Sequence, residues 1–371
     1  MPTSRTTTPR ALIALTAAAT LVLSGCSKGG DADKSADGFY AGETIELIAP
    51  VSPGGSVDGV ARLFAKKLSE HLEGNPTVQV VNIDGGGGIL AGNEFANKYK
   101  PDGNTLMLMT QVSVLPEILE LDAVKYDLSD MQAVWAANRG QAVMMANPDL
   151  DLTDVKQIAE APEKLTMGTI SPAGADLPSV VSLEVLGLLN DKVEVISGYE
   201  NGDAVRNAFI AGELDVHFDR SSGYVKEFAE KYPAIYTYGE TDGQGNITRD
   251  QVVPDAPDVG EAYRTLYGEE PSGEAWDAYM MLLNILGRGG YSLQTHKDAP
   301  AEAVQALDAG VAAVVADEEF TEELKGFMGP FPNEITGDEA RTWSESASDV
   351  DPESLQWIQD FLGTNFDMKF N

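Results

Sequence analysis

A strand-to-helix corner near the start of the chain restricts how the chain can fold. The segment ETIELIAPVSPGGSVDGVARLFAKKLSEHL places an apolar run directly before Pro53, Gly54 and Gly55. The pattern predicts a strand from Thr44 to Pro50, a tight turn, and a helix from Val57 to about Leu72 with Ser56 as its N-cap. The apolar residues of that helix share one face: Val57, Val60, Ala61, Phe64, Leu68 and Leu72.

The same alternation continues along the first part of the chain. A second strand is predicted at Thr77 to Asn82, a helix from about Leu90 to Tyr99, and a third strand at Thr105 to Thr110. Strands and helices that alternate in this way form a parallel sheet with helices on its faces.

The pattern returns after about Lys164, which predicts an α/β protein with two lobes. The second set consists of strands at 165–171, 193–197 and 214–219, and of helices at about 177–189, 203–211 and up to 232. Ligands of open parallel sheets bind beyond the carboxyl ends of the strands. If the two edges face one another, their loops enclose a cleft. Those loops are 51–56 and 83–89 in the first lobe, and 172–176, 198–202 and 219–223 in the second.

The glycine loops of the first lobe suit an anion. Gly54 and Gly55 let a ligand approach backbone N–H groups, and the helix that follows offers unpaired N–H groups at its start. The loop from Asp84 to Asn93, DGGGGILAGN, is built similarly. Together the two corners could hold one carboxylate from both sides. The alternative is that both are ordinary tight turns.

Signals for cofactors, metals and catalysis are weak. The pattern Gly86-x-Gly88-x-x-Ala91 matches a dinucleotide fingerprint, but Thr110 and Gln111 stand where an acid would be needed. The three histidines have no metal-ligand spacing, and no nucleophile–base set is visible. We therefore expect neither a cofactor nor a metal nor enzymatic activity, with an extracellular hydrolase as the weaker alternative.

The amino-terminal residues read as a lipoprotein signal. Arg5 and Arg10 precede the short apolar run from Ala11 to Gly25, and the only cysteine, Cys26, follows small residues. This predicts a signal peptide over 1–25, a lipidated Cys26, and a flexible tether that ends at residue 38. The alternative is an ordinary signal peptide in which Cys26 has no special role.

The charge makes nucleic acid a poor candidate partner. Lys and Arg total 25 against 59 Asp and Glu, a formal net charge of −34. Without Arg5 and Arg10 the balance is 23 − 59 = −36. A surface this acidic repels a polyanion.

Long stretches of the chain resemble the substrate-binding proteins of tripartite tricarboxylate transporters, the Bug-type extracytoplasmic receptors. The resemblance begins with APVSPGGSVDGVARLFAKKL, VVNIDGGGGILAGNEFA and KPDGNTLMLMT. It continues through MGTISPAGADLPSVVSLEVL and ISGYENGDAVRNAFIAGELDVHFD, and then through VVPDAPDVGEAY and DAPAEAVQALDAGVAAV. It covers the chain from about Gly42 to Glu345.

The resemblance implies a two-lobed periplasmic-binding-protein fold of type II, a Venus flytrap, with a cleft between two parallel-rich sheets. The first lobe would span 39–138 and 291–371, and the second 139–290. The implied protein is a lipid-anchored monomer on the outer face of the cytoplasmic membrane, which delivers a small di- or tricarboxylate to two integral-membrane transporter subunits. A receptor for a signalling partner is the alternative. The implied ligand-binding residues are Val51, Ser52, Pro53, Gly54, Gly55, Ser56, Gly85, Gly86, Gly87, Gly88, Ile89, Gln111, Ser171, Ala173, Gly174, Ala175, Asp176, Tyr199, Asp219 and Arg220.

Three charged residues depart from the pattern of the family. Asp176 would repel a second carboxylate unless it meets a cation or a ligand amine. Glu200 stands where lysine is frequent. Arg220 is a candidate partner for a distal carboxylate, or else forms a surface salt bridge with Asp219 or Glu213. Asp58 is expected to serve the helix start rather than to contact the ligand.

Overall fold

A computed structural model describes residues 38–138, 140–241, 246–288, 290–330, 333–348 and 350–370. The predicted signal peptide, Cys26 and the tether before residue 38 lie outside the described residues. Within the described ranges, no helix has both the length and the hydropathy that crossing a membrane requires.

Strands occur along most of the described part of the chain. They are β1 Thr44–Ala49, β2 Thr77–Asn82, β3 Thr105–Thr110, β4 Met131–Ala137, β5 Ala142–Ala146, β6 Leu165–Thr169, β7 Val193–Ser197, β8 Val216–Arg220, β9 Ala234–Thr237, β10 Glu240–Thr241, β11 Ile247–Thr248, β12 Tyr291–His296 and β13 Ile335–Thr336.

Helices alternate with these strands. They are α1 Ser56–His71, α2 Ile89–Lys98, α3 Gln111–Ile118, α4 Val155–Ala159, α5 Leu177–Val185, α6 Gly202–Ile210, α7 Ser221–Gly223, α8 Val259–Tyr267, α9 Glu274–Arg288, α10 Ala301–Val315, α11 Glu318–Met328, α12 Gly337–Ser348 and α13 Pro352–Phe366.

The first α/β unit has the predicted order, as β1, α1, β2, α2 and β3. The bounds of β2 and β3 are those predicted. The prediction of Ser56 as the N-cap of α1 is wrong. The helix begins at Ser56, and Gly55 precedes it with φ −84° and ψ 176°. The extended backbone of Gly55 already ends the turn, so Ser56 is the first helical residue.

The second α/β unit also has the predicted order, as β6, α5, β7, α6 and β8, but two helices differ from the prediction. α5 ends at Val185 because the chain turns at Gly187, which has φ +62° and lies against the Tyr267 hydroxyl. The helix predicted to reach Tyr232 is instead the short α7 followed by a wider π-helical turn over Tyr224–Phe228.

The first sheet has the strand order β13-β4-β12-β3-β1-β2. β1 is parallel to both β2 and β3, as predicted for the first unit. β12 is antiparallel to β3 and β4, and β13 is antiparallel to β4. The sheet is therefore mixed, because β12 and β13 come from the last third of the chain and run in the opposite direction to their neighbours.

The second sheet has the order β7-β6-β8-β5-β9. β6 is parallel to β7 and β8, whereas β5 is antiparallel to β8 and β9. We call the parts built on the two sheets the first and the second lobe.

The chain crosses between the lobes twice. It leaves the first sheet after β4 and enters the second at β5, and it returns between α9 and β12. α9 packs against both α5 and α13. The boundaries of the lobes at 138/139 and 290/291 stay a prediction.

Candidate ligand-binding cleft

A cavity of about 740 Å³ lies between the lobes. This volume is typical of a small-molecule site. Several of the predicted binding residues line it: Ser56, Gly86, Gly87, Ile89, Ser171, Ala173, Gly174, Ala175, Asp176, Asp219 and Arg220. The other predicted residues do not line it: Val51, Ser52, Pro53, Gly54, Gly55, Gly85, Gly88, Gln111 and Tyr199.

Asp58 holds the Pro-Gly-Gly loop in place. Its buried carboxylate accepts hydrogen bonds from the Gly54 amide at 2.9 Å, from Arg62 Nε at 2.9 Å and from Asn82 Nδ2 at 2.8 Å. The hydrogen bond from Arg62 lowers the pKa of the Asp58 carboxyl to about 2, although burial opposes the shift. Since the Gly54 amide already donates to Asp58, it is not available to a ligand in this conformation. Ser56 is the residue of this loop that lines the cavity.

The second glycine loop needs glycine for backbone and steric reasons. The four glycines 85–88 have φ values of 155°, 59°, 65° and 92°, all positive. Residues other than glycine rarely adopt such positive φ values. At Gly88 a Cβ atom would also lie 2.4 Å from Ser113 Oγ. Ser52 Oγ donates to Asp84 Oδ2 at 2.5 Å and so ties the two loops together.

The two loops present backbone donors to the cavity. No described residue accepts a hydrogen bond from the amides of Ser56, Gly86 or Gly87, all of which line the cavity. Ser56 also opens α1, where the helix dipole favours a negative charge. The first lobe can therefore bind an anionic oxygen pair through its main chain.

The loop from Ser171 to Asp176 lies on the opposite wall. The Gly174 amide donates to the Ser171 carbonyl at 3.0 Å, and the Leu177 amide donates to the Gly174 carbonyl at 3.0 Å. These two turns lead into α5. Asp176, just before the helix, accepts a hydrogen bond from Thr169 Oγ1 at 2.5 Å and is half-buried.

The loop after β7 places the start of α6 at the cavity. Asn201 Oδ1 caps this helix by accepting from the Ala204 amide at 2.9 Å. Asn201, Gly202 and Asp203 line the cavity. Tyr199 lies instead over the backbone of β6, where a Cβ at Gly168 would be 3.0 Å from its ring.

Arg206 forms the centre of a partly buried charge network on this wall, in which Asp219 is buried and Glu227 is exposed. Its Nη2 atom lies 2.9 Å from Asp219 Oδ2, and its Nη1 atom lies 3.1 Å from Glu227 Oε2. His217 Nε2 lies 3.7 Å from the same oxygen of Asp219. That oxygen receives no well-directed hydrogen bond, so the Arg206–Asp219 contact is a close ion pair. Burial alone would raise the pKa of the Asp219 carboxyl, but the nearby His217 and the charge of Arg206 lower it below its usual value.

Arg220 bridges the lobes. Its Nη2 atom donates to Gln111 Oε1, and Gln111 Nε2 donates to the Leu286 carbonyl at 3.3 Å. Gln111 is the first residue of α3 in the first lobe, whereas Arg220 ends β8 in the second. Arg220 therefore stands at the junction of the lobes as well as on the cavity wall.

Asn201 lies in the predicted cleft loop 198–202, but sequence reasoning missed several other residues that line the cavity. The polar ones are Asp203, Arg206, His217 and Tyr238, and the apolar ones include Leu115, Pro116, Leu121 and Met368. Two signals could have indicated some of them. Arg206 lies on the first turns of a helix that begins at a predicted cleft loop. His217 and Asp219 alternate on a strand and so share a face.

The described residues offer little for metal binding or catalysis. Glu70, His71 and Asp317 form the one group of potential metal ligands among them. Lys67 Nζ already lies 2.8 Å from Asp317 Oδ2, the oxygen that is 2.9 Å from His71 Nε2. Within the described ranges, no serine or threonine hydroxyl is hydrogen bonded to any of the three histidines.

No protein-family model matches the chain. Among curated proteins, a UPF0065 protein of Pseudomonas sp. strain P51 is 24% identical over 225 residues, which is 60% of this chain and 64% of that protein. Protein BugT of Bordetella pertussis is 37% identical over 115 residues, 30% of this chain and 34% of BugT. The chain is related to the Bug proteins. It matches less than two thirds of the length of these relatives.

Solved structures show the same fold. A TctC solute-binding protein from Polaromonas has a TM-score of 0.63 at 17% identity and covers 86% of this chain and 98% of its own. MatC from Rhodopseudomonas palustris with bound malate has a TM-score of 0.57 at 20% identity and covers 85% of this chain and 97% of its own. A protein of the same organism with adipate has a TM-score of 0.58 at 18% identity, with 87% and 96% covered.

These likenesses confirm the α/β, two-lobed periplasmic-binding-protein fold that the sequence resemblance implied. The similar protein from Polaromonas is described as a solute-binding protein.

Proposed function

We propose that this Bug-related protein is an extracytoplasmic receptor that captures a small organic carboxylate between its lobes. The observation that carries the proposal is the row of unpaired amides at Ser56, Gly86 and Gly87, on a cavity whose far wall holds Arg220. Each charge-assisted hydrogen bond contributes about 1.5–3 kcal/mol. Two or three of them, with a second group engaged by the other lobe, supply what a micromolar complex needs.

Three features of the fold and the relatives support this choice. The cavity lies between two lobes that the chain crosses twice, an arrangement that can close over a ligand. The neighbours of known structure include one with malate and one with adipate, both dicarboxylates. The described residues hold no hydroxyl–histidine pair for hydrolysis.

The rest of the proposal rests on the resemblance. The receptor would consist of lobes at 39–138 with 291–371 and at 139–290, act as a monomer, and deliver its ligand to two integral-membrane subunits of a tripartite tricarboxylate-type transporter. Lipid on Cys26 would hold it at the outer face of the membrane. A Cys26→Ser variant that stays in the membrane fraction would contradict the anchor.

The main test is calorimetric titration of the purified protein with malate, adipate, citrate and glucose. We expect at least one of the carboxylates to bind with micromolar affinity and glucose not to bind. Binding of glucose but of no carboxylate would refute the proposal.

Gly86→Ala tests the main-chain clamp itself. The added methyl would lie in the cavity wall, and φ +59° costs about 1 kcal/mol for a residue other than glycine. We expect a loss of carboxylate affinity of about tenfold. Gly42→Ala is the matched control, because Gly42 has φ +74° and open space around it but lies off the cavity. Equal affinities of the two variants would count against the clamp.

A further inference from the structure

The charges on the cavity wall are unevenly compensated. The charged side chains that line the cavity all come from the second lobe: Asp176, Asp203, Arg206, Asp219 and Arg220. Arg206 is committed to Asp219 and Glu227, at 2.9 Å and 3.1 Å. With one cation against two carboxylates, this network has no positive charge left over for a ligand.

The remaining charged residues differ in their surroundings. Asp203 lies in the first turn of α6, is exposed, and is favoured there by the helix dipole. Arg220 donates to Gln111, which is neutral. Asp176 is half-buried and receives a hydrogen bond from the Thr169 hydroxyl, but it forms no ion pair with another described residue. Among the described residues, the Asp176 carboxylate therefore has no cation within ion-pair distance, although it lines the cavity.

Asp176 and Arg220 lie at the same end of two neighbouring parallel strands and line the same cavity: Asp176 accepts a hydrogen bond from Thr169, the last residue of β6, and Arg220 is the last residue of β8. Both charges also act on Tyr238: burial raises the pKa of its hydroxyl, Arg220 opposes this, and Asp176 adds to it. Tyr238 itself lines the cavity and is hydrogen bonded to Ser179. The far wall thus presents one positive and one negative group to a bound molecule.

A plain dicarboxylate fits this wall only in part. Its first carboxylate suits the amides of the first lobe, and its second suits Arg220, but the second would also meet Asp176. Like charges at short range in a partly dry site repel strongly. A ligand with an ammonium group would turn the same contact into an attraction.

We propose that the ligand is a carboxylate that also carries a protonated amine, and that Asp176 binds the ammonium group. This inference rests on the proposed function, since it assigns the carboxylate of the ligand to the glycine loops of the first lobe. Asp176 then selects among carboxylates, while the main-chain clamp binds all of them.

The test compares two ligands that differ by one amine, butanoate and 4-aminobutanoate, with the purified protein. We expect the amine to increase affinity about tenfold or more in the wild type. In Asp176→Asn the amine should give no increase. Asparagine keeps the shape of the side chain and an oxygen for Thr169, so the loop and α5 should fold as before. Asp203→Asn is the control, because it removes a charge from the same wall but should keep the effect of the amine.

Glutarate, titrated in parallel, separates this inference from the proposed function. If glutarate and butanoate bind but 4-aminobutanoate binds no more tightly than butanoate, the inference is overturned and the receptor function stands. The same holds if Asp176→Asn keeps the higher affinity for 4-aminobutanoate. If none of the three binds to the wild type but malate, adipate or citrate does, the inference is overturned and the receptor function stands. If none of these six carboxylates binds, the carboxylate receptor itself is refuted, and the inference with it.

Discussion

Among the described residues, the first lobe lines the cleft without any charged side chain, whereas the second lobe lines it with five: Asp176, Asp203, Arg206, Asp219 and Arg220. The first wall consists of main chain and apolar groups, such as Gly86, Gly87 and Leu115. Its donors are set by backbone geometry and would accept any carboxylate. The second wall presents charged side chains, of which Arg206 and Asp219 are held by an ion pair and Asp176 by a hydrogen bond from Thr169. The difference suggests that one lobe supplies general affinity and the other supplies selectivity.

The largest expected effect comes from the charge network of the second wall. Arg206→Ala should lower the free energy of unfolding by about 3 kcal/mol, because it leaves the buried Asp219 carboxylate without its ion-pair partner. Urea unfolding measures the change. Arg264→Ala is the control, since its pair with Glu270 is exposed and should contribute less than about 1 kcal/mol. Equal stabilities of the two variants would mean that the network does not brace the wall.

A slightly smaller effect is expected on the first wall. Asp58→Asn should lower the free energy of unfolding at neutral pH by about 2 kcal/mol, because folding lowers the pKa of Asp58 from 3.8 to about 2. A lowered pKa stabilises the fold above the pKa of the unfolded chain. This stabilisation is lost as the pH falls through the pKa of the folded state.

Urea unfolding at several pH values checks the direction in which the contribution of Asp58 to stability changes with pH. The difference between wild type and Asp58→Asn should be full above about pH 4 and should shrink towards pH 2. Carboxylate affinity at neutral pH should fall as well, since Asp58 holds the Gly54 amide and thereby the loop that carries Ser56. A variant that loses stability but keeps its affinity would show that this loop does not take part in binding.

The smallest effect sharpens the contrast between the walls. Arg220→Ala should weaken the binding of glutarate about tenfold, or by about 1.4 kcal/mol. The binding of butanoate should weaken much less, and calorimetry measures both. Gln111→Leu is the matched control: it removes the hydrogen bond between the lobes but leaves the guanidinium in place. If both variants lower the affinities for glutarate and butanoate equally, Arg220 acts through the junction of the lobes and does not bind a distal carboxylate.

The local elements of the cleft could be predicted because they depend on neighbouring residues. Strands β2, β3 and β7 follow from short apolar runs between turn residues, and the positive φ values of 85–88 follow from four successive glycines. The premature end of α5 could not be predicted, because it depends on the contact of Gly187 with Tyr267, eighty positions further along the chain.

The polar side chains of the cleft were harder to predict than its loops. Arg206 was missed because nothing near it in the chain reveals its partner: α6 and β8 must pack together before Arg206 meets Asp219. For Gly54, the loop was found, but the direction of its amide depends on the Asp58 carboxylate, which is held by Asn82 of β2, and only the fold brings Asn82 to Asp58.

The sequence by itself determined the two α/β units, the glycine corners at the ends of their strands and the relation to the Bug proteins, since spacing and backbone restrictions are local properties. Tertiary structure alone decided that β12 and β13 return to the first sheet, that Arg220 reaches Gln111 in the other lobe, and that Asp176 forms no ion pair with another described residue. These features depend on which distant segments are in contact. The free energy that stabilises those contacts comes from packing and charge pairing across the whole molecule, and no short stretch of sequence contains that information.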